Sequence, residues 1–183
     1  KTVEGRELEI IRIGRTDAPH RALLRARAHP WEPGGSWVVQ GLIERLLRDD
    51  AEARRCLRRY CVYVMPMANK DGVAHGGTRF NRLGADLNRQ WDQPPDPKTN
   101  PENHALESWL ASMGTRGRAP QLMIDLHNDN SGKLHVSRPD IDLEDYLAKM
   151  RRLEAMLREH TWFTEGSTTA SFRNPGSIGE GLL

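Results

Sequence analysis

Residues 21–47 read RALLRARAHPWEPGGSWVVQGLIERLL, and the spacing of their apolar side chains changes in the middle. Up to His29, small or apolar residues alternate with basic ones, which is typical of a β-strand with one face in solvent. Between residues 35 and 47, apolar side chains recur at the 3.6-residue period of a helix, and Ser36 is available as its N-cap. We therefore predict a strand that ends at His29, a turn that contains Glu32, and then a helix.

Strand and helix patterns continue to alternate along the rest of the chain. YCVYVMPM at residues 60–67 and QLMIDLH at residues 121–127 are apolar runs of strand length, as expected for strands buried on both faces. NPENHALESWLASM between them begins with an asparagine cap and a proline at the first helical position. Strands are also predicted in ELEIIRIG and KLHVS, and an amphipathic helix in DIDLEDYLAKMRRLEAMLREH.

This order predicts a mixed α/β fold, a largely parallel central sheet with helices on both faces. The 183 residues are close to the upper end of what one core organises, so we expect a single domain over residues 1–183. Trp37 and Trp109 are expected in the core. Ligands in such folds bind at the carboxyl ends of strands, where His29 and His127 are both predicted.

The composition limits the classes of function. Hydrophobic residues make up 37% and charged residues 28%, without a run that could span lipid, so no membrane partner is expected. The net charge is +2, without a block of like charges, so we expect no nucleic-acid partner. Cys56 and Cys61 lack C-x-x-C spacing, which argues against a redox or structural zinc site.

The first residues, KTVEGRELEI, show no secretory signal pattern, which favours a cytoplasmic location. The last ten residues, NPGSIGEGLL, end as abruptly as the chain begins. We expect a chain that is truncated at both ends.

His29 and Glu32 have the residue types of a zinc site, and His127 is expected at a neighbouring strand end. Two histidines and a glutamate are one of the ligand sets of catalytic zinc, which leaves a fourth position for water. H-x-x-E alone is a weak signal, and the alternative interpretation is a surface ion pair in an exposed turn. A second H-x-x-E, at His104 and Glu107, falls on a predicted helix, where we expect a solvated face.

The segment after the strand at residues 60–67 is rich in Gly, Asn, Asp and Pro, and long loops of this kind are usually functional. It contains N-x-D-G, G-x-R and G-x-D-L-N-R-x-W. Together with H-P-x-E before it and D-L-H after it, this set resembles the zinc carboxypeptidases, above all the cytosolic carboxypeptidase branch and its bacterial relatives. The resemblance runs from about Gly5 to the end of the chain.

The resemblance implies a role for each matching residue. His29, Glu32 and His127 would be the ligands of one Zn²⁺ per chain, and Asp86 would orient His29. Arg79 would stabilise the oxyanion on the scissile carbonyl. Asn88 and Arg89 would hold the terminal carboxylate of the substrate, for which a guanidinium is geometrically suited. Asp125 is either a second orienting carboxylate or the ion-pair partner of a neighbouring arginine.

The general base of the family is a glutamate on a late strand, and no residue after His127 matches that strand. Glu165 and Glu180 lie among turn residues. We therefore expect the base beyond Leu183.

The resemblance implies a carboxypeptidase that cleaves the last peptide bond of a peptide or protein tail. A preference for acidic residues is the expectation that comes from the branch resembled. One alternative is an acylamino-acid amidohydrolase of the aspartoacylase type, which resembles carboxypeptidases in fold and zinc ligands. Another is a zinc-binding or peptide-binding module without turnover.

Overall fold

The computed structural model describes residues 1–128, 131–136, 142–167 and 178. Within these residues the strands are β1 (Ile11–Ile13), β2 (His20–Ala26), β3 (Tyr60–Met65) and β4 (Leu122–Leu126). The helices are α1 (Gly34–Leu46), α2 (Ala51–Arg59), α3 (Lys70–Ala74), α4 (Pro101–Thr115) and α5 (Leu143–His160).

The four strands form one mixed sheet in the order β1-β3-β2-β4. β2 runs parallel to both β3 and β4, and β1 pairs antiparallel with β3 at the edge. The predicted mixed, largely parallel sheet is therefore confirmed. Since the carboxyl ends of parallel strands share one edge, the residues that follow β2, β3 and β4 meet there.

β2 lies inside the sheet, and this position corrects the prediction that one of its faces is solvated. Residues 23–26 are all buried, and Arg25 is only 1% exposed. A basic residue of this alternating strand can be buried because the guanidinium of Arg25 has protein hydrogen-bond partners. The strand also ends at Ala26, earlier than predicted, so that His29 lies in the turn.

Helix α1 covers one face of the sheet. Val39 and Leu46 of the helix pack with Leu24, Val62 and Val64 in a common core. The first turn of the helix comes so close to the strands that a Cβ on Gly35 would lie 3.0 Å from a side-chain atom of Leu126, which makes a larger residue a tight fit there. The predicted N-cap was wrong, because Pro33 occupies the N-cap position, without a side-chain capping hydrogen bond, and the Ser36 hydroxyl donates to the carbonyl of Pro66.

Helix α4 covers the opposite face. Its cap is the predicted Asn100, whose side chain accepts from the amide of Asn103. Trp109 packs edge-on against Tyr63 of β3, with ring centroids 5.1 Å apart. The other tryptophan predicted in the core, Trp37, is 68% exposed, because it lies on the solvent side of α1. Helices thus lie on both faces of the sheet, as predicted.

The chain forms two compact units. The first contains Lys1–Asn88 and Pro94–Asn128, and therefore the whole sheet. It also contains α3, a five-residue helix in a segment predicted to be loop.

The second unit contains Arg89–Gln93 and the described residues from Ser131 onward. The predicted amphipathic helix is present there as α5. Of the strand predicted in KLHVS, the structure describes residues 133–136, which contain a single bridge, from Leu134 to Ser167. Among residues 1–128, 131–136 and 142–167, none of the helices has the length and apolar character that a membrane span requires.

Candidate metal centre

The turn that carries His29 is held by the loop that follows β3. The backbone amide of Asn69 donates to the carbonyl of Arg27 at 3.0 Å, and its side-chain oxygen accepts from the amide of Gly72. A Cβ on Gly72 would lie 2.4 Å from Pro30, so the glycine of N-x-D-G gives the H-P-x-E turn the space to pack. The two motifs are therefore parts of one structure.

The structure brings His29, Glu32 and His127 together at the carboxyl ends of β2 and β4. One ligand atom from each of the three residues lies within 4.8 Å of the others. The two oxygens of Glu32 divide between the histidines, with Oε1 2.8 Å from Nδ1 of His29 and Oε2 2.7 Å from Nδ1 of His127. His29 and Glu32 are buried, and His127 is partly buried.

The second nitrogen of each histidine faces another carboxylate. Nε2 of His29 lies 3.1 Å from Oδ1 of Asp86, and Nε2 of His127 lies 2.9 Å from Oδ2 of Asp125. Each imidazole is thus held between Glu32 and an aspartate. Ligand histidines usually have such a partner, which fixes the ring and leaves the other nitrogen for the metal.

These contacts leave a place for a cation. A neutral imidazole has one N–H and can donate to one carboxylate only, yet both rings face carboxylates at both nitrogens. A metal ion at the Nδ1 atoms, with the Nε2–H groups donating to Asp86 and Asp125, would satisfy these contacts of two rings whose centroids lie 4.8 Å apart. Two imidazoles and a carboxylate suit zinc. The residues present therefore fit this ion.

Asp86 connects the turn with the loop that contains Arg79 and Asn88. It accepts from Nε of Arg79 at 2.7 Å and from the backbone amide of Asn88 at 2.9 Å, besides its contact with His29. Burial raises the pKa of Asp86, but the hydrogen bonds from His29 and Asn88 and the nearby charge of Arg79 outweigh it, so the pKa lies well below its usual value. Asp86 therefore remains a carboxylate.

Asp125 faces His127 as Asp86 faces His29. The sequence left two interpretations of Asp125, a carboxylate beside the histidine or the ion-pair partner of an arginine, and the structure shows both contacts. It contacts His127 and also accepts from Nη1 of Arg25 at 3.1 Å. Burial raises its pKa, but the charge of Arg25 and the hydrogen bond with His127 lower it by more. The pKa of His127 is raised, because its hydrogen bonds and charge interactions with Asp125 and Glu32 outweigh the effect of burial. A proton and a metal ion therefore compete for its Nδ1.

Sequence reasoning missed Arg25, which pairs with Asp125 in the register of β2 and β4. The signal was present, since Arg25 and Asp125 each lie on a strand whose end is followed by a predicted zinc ligand. It was hidden because a basic residue in an alternating strand normally faces solvent.

The remaining predicted residues are less fully placed. Arg79 is about one-third exposed, and its Nη atoms have no hydrogen-bond partner among the described residues. Asn88 is partly buried beside Asp86, whereas Arg89 is exposed and belongs to the second unit. Glu165 is exposed and accepts from the amide and hydroxyl of Thr164. Glu180 lies outside the described residues.

Comparisons with known proteins agree with this geometry. The family model described as zinc carboxypeptidase matches residues 1–132. Cytosolic carboxypeptidase 1 of Danio rerio is 37% identical over 110 residues, 60% of this chain and 10% of that protein. Cytosolic carboxypeptidase 6 of Caenorhabditis elegans is 34% identical over 133 residues, 69% of this chain and 29% of that protein. The chain thus spans less than a third of these relatives.

Solved structures show the same relationship. A metallocarboxypeptidase of Burkholderia cenocepacia has a TM-score of 0.79 at 27% identity, over 93% of this chain and 48% of that one. One from Pseudomonas aeruginosa has a TM-score of 0.70 at 28% identity, over 99% of this chain and 48% of that one. An aspartoacylase family protein of Mesorhizobium loti, 16% identical with a TM-score of 0.63, shares the fold alone. Since the family model matches well over half of the chain and includes all three residues of the candidate site, the chain belongs to the zinc carboxypeptidase family.

Proposed function

We propose that the protein is a zinc carboxypeptidase that removes the C-terminal amino acid from a peptide or protein tail. The observation that carries this proposal is the convergence of Nδ1 of His29, Nδ1 of His127 and the carboxylate of Glu32 at the strand ends. These three residues are the proposed ligands of one zinc ion per chain. The family match and the cytosolic carboxypeptidase relatives support the same conclusion.

The reaction requires a polarised carbonyl and an activated water. When bound, zinc supplies both, because it acts as a Lewis acid and lowers the pKa of a water to about 7. Asp86 and Asp125 would each accept a hydrogen bond from the Nε2–H group of one histidine, so that the Nδ1 lone pair of each ring is available to the metal. Glu32 adds its negative charge, and the burial of the turn keeps bulk water away from the ligands.

Arg79 is the proposed group for the oxyanion. Its Nε is fixed on Asp86, which leaves the outer nitrogens of the guanidinium as donors to a developing negative charge. Asn88 and Arg89 are the proposed partners of the terminal carboxylate of the substrate. The placement of Asn88 beside Asp86 supports this role, and for Arg89 the proposal depends on the resemblance of G-x-D-L-N-R-x-W to the family.

The proposal extends to the domain organisation, the cellular location and the side-chain preference of the protein. We propose one catalytic domain in the cytoplasm, supported by the names of the cytosolic relatives. A preference for acidic C-terminal residues would follow from the resemblance to that branch.

Peptide binding tests the substrate class independently of the general base. A peptide with a free C-terminal carboxylate and the same peptide as its amide should be compared on the zinc-loaded protein by calorimetry. We expect the free acid to bind at least about 10-fold more tightly, since a charged hydrogen bond is worth roughly 1.5–3 kcal/mol. Equal binding would contradict the proposal.

Turnover separates the two enzyme classes. Mass spectrometry should show release of a single C-terminal amino acid from peptides that end in glutamate, aspartate, lysine or leucine. Cleavage of small N-acyl amino acids without cleavage of peptides would instead identify an amidohydrolase.

A further inference from the structure

Arg25 is a buried charged residue that contributes no ligand atom to the candidate metal site. Its side chain is 1% exposed, and it lies on the central strand β2. A charge in such a place is costly unless protein groups replace its water. The protein groups that replace this water indicate the role of Arg25.

The guanidinium reaches three parts of the first unit. Nη1 donates to Oδ2 of Asp125 at 3.1 Å, the same oxygen that faces Nε2 of His127. Nη2 donates to the backbone carbonyl of Leu87 at 2.8 Å and to the side-chain oxygen of Asn103 at 3.2 Å. Asn103 belongs to α4, so strand β4, the 86–88 loop and a helix are all connected to one side chain.

The contact with Leu87 relates the two histidines to each other. Leu87 is preceded by Asp86, which faces His29, and followed by Asn88, whose amide donates to Asp86. One guanidinium thus contacts the aspartate behind His127 and the peptide next to the aspartate behind His29.

We propose that Arg25 is a positioning residue of the metal site, which fixes the aspartates behind the two histidines relative to each other. This inference rests on the proposed function, since it concerns the same site. The planar fork of arginine reaches several acceptors in fixed directions, whereas the ammonium of lysine is a point charge without that geometry. Replacement by lysine therefore keeps the charge and loses the fixed distance between the two aspartates.

The test compares Arg25→Lys with Arg21→Lys in the protein. Arg21 lies on the same strand and also donates to backbone carbonyls, those of Ala18 and Ala119. It therefore controls for the loss of a guanidinium from β2. Zinc affinity should be measured by competition with a chelator, and the absorption spectrum of the cobalt-substituted protein reports ligand geometry. Circular dichroism establishes that each variant is folded.

We expect Arg25→Lys to bind zinc about 10–100-fold more weakly, the range seen when groups behind a ligand are changed. Its cobalt spectrum should shift, and Arg21→Lys should match the parent in both measurements. In an Asp125→Asn background, Arg25→Lys should add less than about 3-fold, because both variants interrupt the same connection.

Parent-like zinc affinity and cobalt spectrum in Arg25→Lys would overturn the inference, and so would losses that multiply fully in the double variant. If Arg25→Lys does not fold, Asn103→Ala replaces it, because that variant removes an acceptor of the same guanidinium. An unchanged cobalt spectrum and zinc affinity there would also overturn the inference. A parent protein that binds no zinc would refute the proposed site itself, and the inference with it.

Discussion

The chain contains two H-x-x-E motifs, and the structure places them in opposite surroundings. His29 and Glu32 lie in a buried turn at the strand ends, where His127 joins them. His104 and Glu107 lie on α4, where His104 is exposed and both line an open depression beside Pro94 and Pro95. The spacing is the same, so the spacing alone cannot be the signal. A metal site requires the motif where a third ligand and the carboxylates behind the histidines converge.

The largest expected effect on zinc affinity comes from replacing the glutamate of the first motif, Glu32. Replacing the glutamate of the second motif, Glu107, should have no effect. Glu32→Gln removes the negative charge that faces both Nδ1 atoms, and we expect zinc affinity to fall more than about 100-fold, beyond the cost of changing a group behind a ligand. Glu107→Gln is the matched control and should bind zinc as the parent does. Chelator competition measures both. Similar losses of zinc affinity in the two variants would contradict the claim that only the first motif binds zinc.

A smaller effect is expected from the carboxylate behind His29. Asp86→Asn leaves the three ligands in place but cannot hold the Nε2 proton as a carboxylate does, so zinc affinity should fall roughly 10–100-fold. Asp96→Asn is the control, since the side chain of Asp96 accepts from the Lys98 amide and the Thr99 hydroxyl near the second motif. Equal zinc affinity in Asp86→Asn and the parent would show that Asp86 does not orient a ligand.

The helix that carries the second motif depends on ordinary capping. Asn100→Ala removes the side-chain acceptor for the Asn103 amide and should lower the free energy of unfolding by about 1 kcal/mol. Because His104 and Glu107 bind no metal in this account, zinc should stabilise the variant and the parent by the same increment. Urea unfolding with and without zinc checks this. A different increment would contradict this account, because it would show that the cap of α4 affects zinc binding by more than the contact of Asn103 with Arg25 explains.

The smallest effect concerns an exposed polar cluster around Glu4, whose members Arg6, His75 and Arg82 belong to neither H-x-x-E motif. Hydrogen bonds from Arg6 and His75 lower the pKa of Glu4 from 4.5 to about 2. Its contribution to stability is therefore complete above pH 4.5 and is lost as the pH falls towards 2. Glu4→Gln should unfold with a shallower dependence on pH between 4.5 and 2, and should bind zinc normally. A pH dependence identical to that of the parent in acid titration would contradict the assignment.

The sequence predicted the parts of the site whose chemistry is local. His29 and Glu32 stand where the strand period changes to the helical one, and His127 ends an apolar run. Arg25 could not be recognised in the same way, because its burial depends on β4 covering an edge of β2 and its partner Asp125 is 100 residues away. The helix α3 was missed because it is only five residues long and is stabilised by contacts of Asn69 and Asp71.

The central claim is that His29, Glu32 and His127 hold one zinc ion, and His127 tests it best because it is remote in sequence from the other two. Elemental analysis should be carried out on the protein and on His127→Ala after zinc loading and removal of the excess. We predict about one zinc per chain in the protein and little or none in the variant. Negligible zinc in both, or the same amount in both, would contradict the three-residue site.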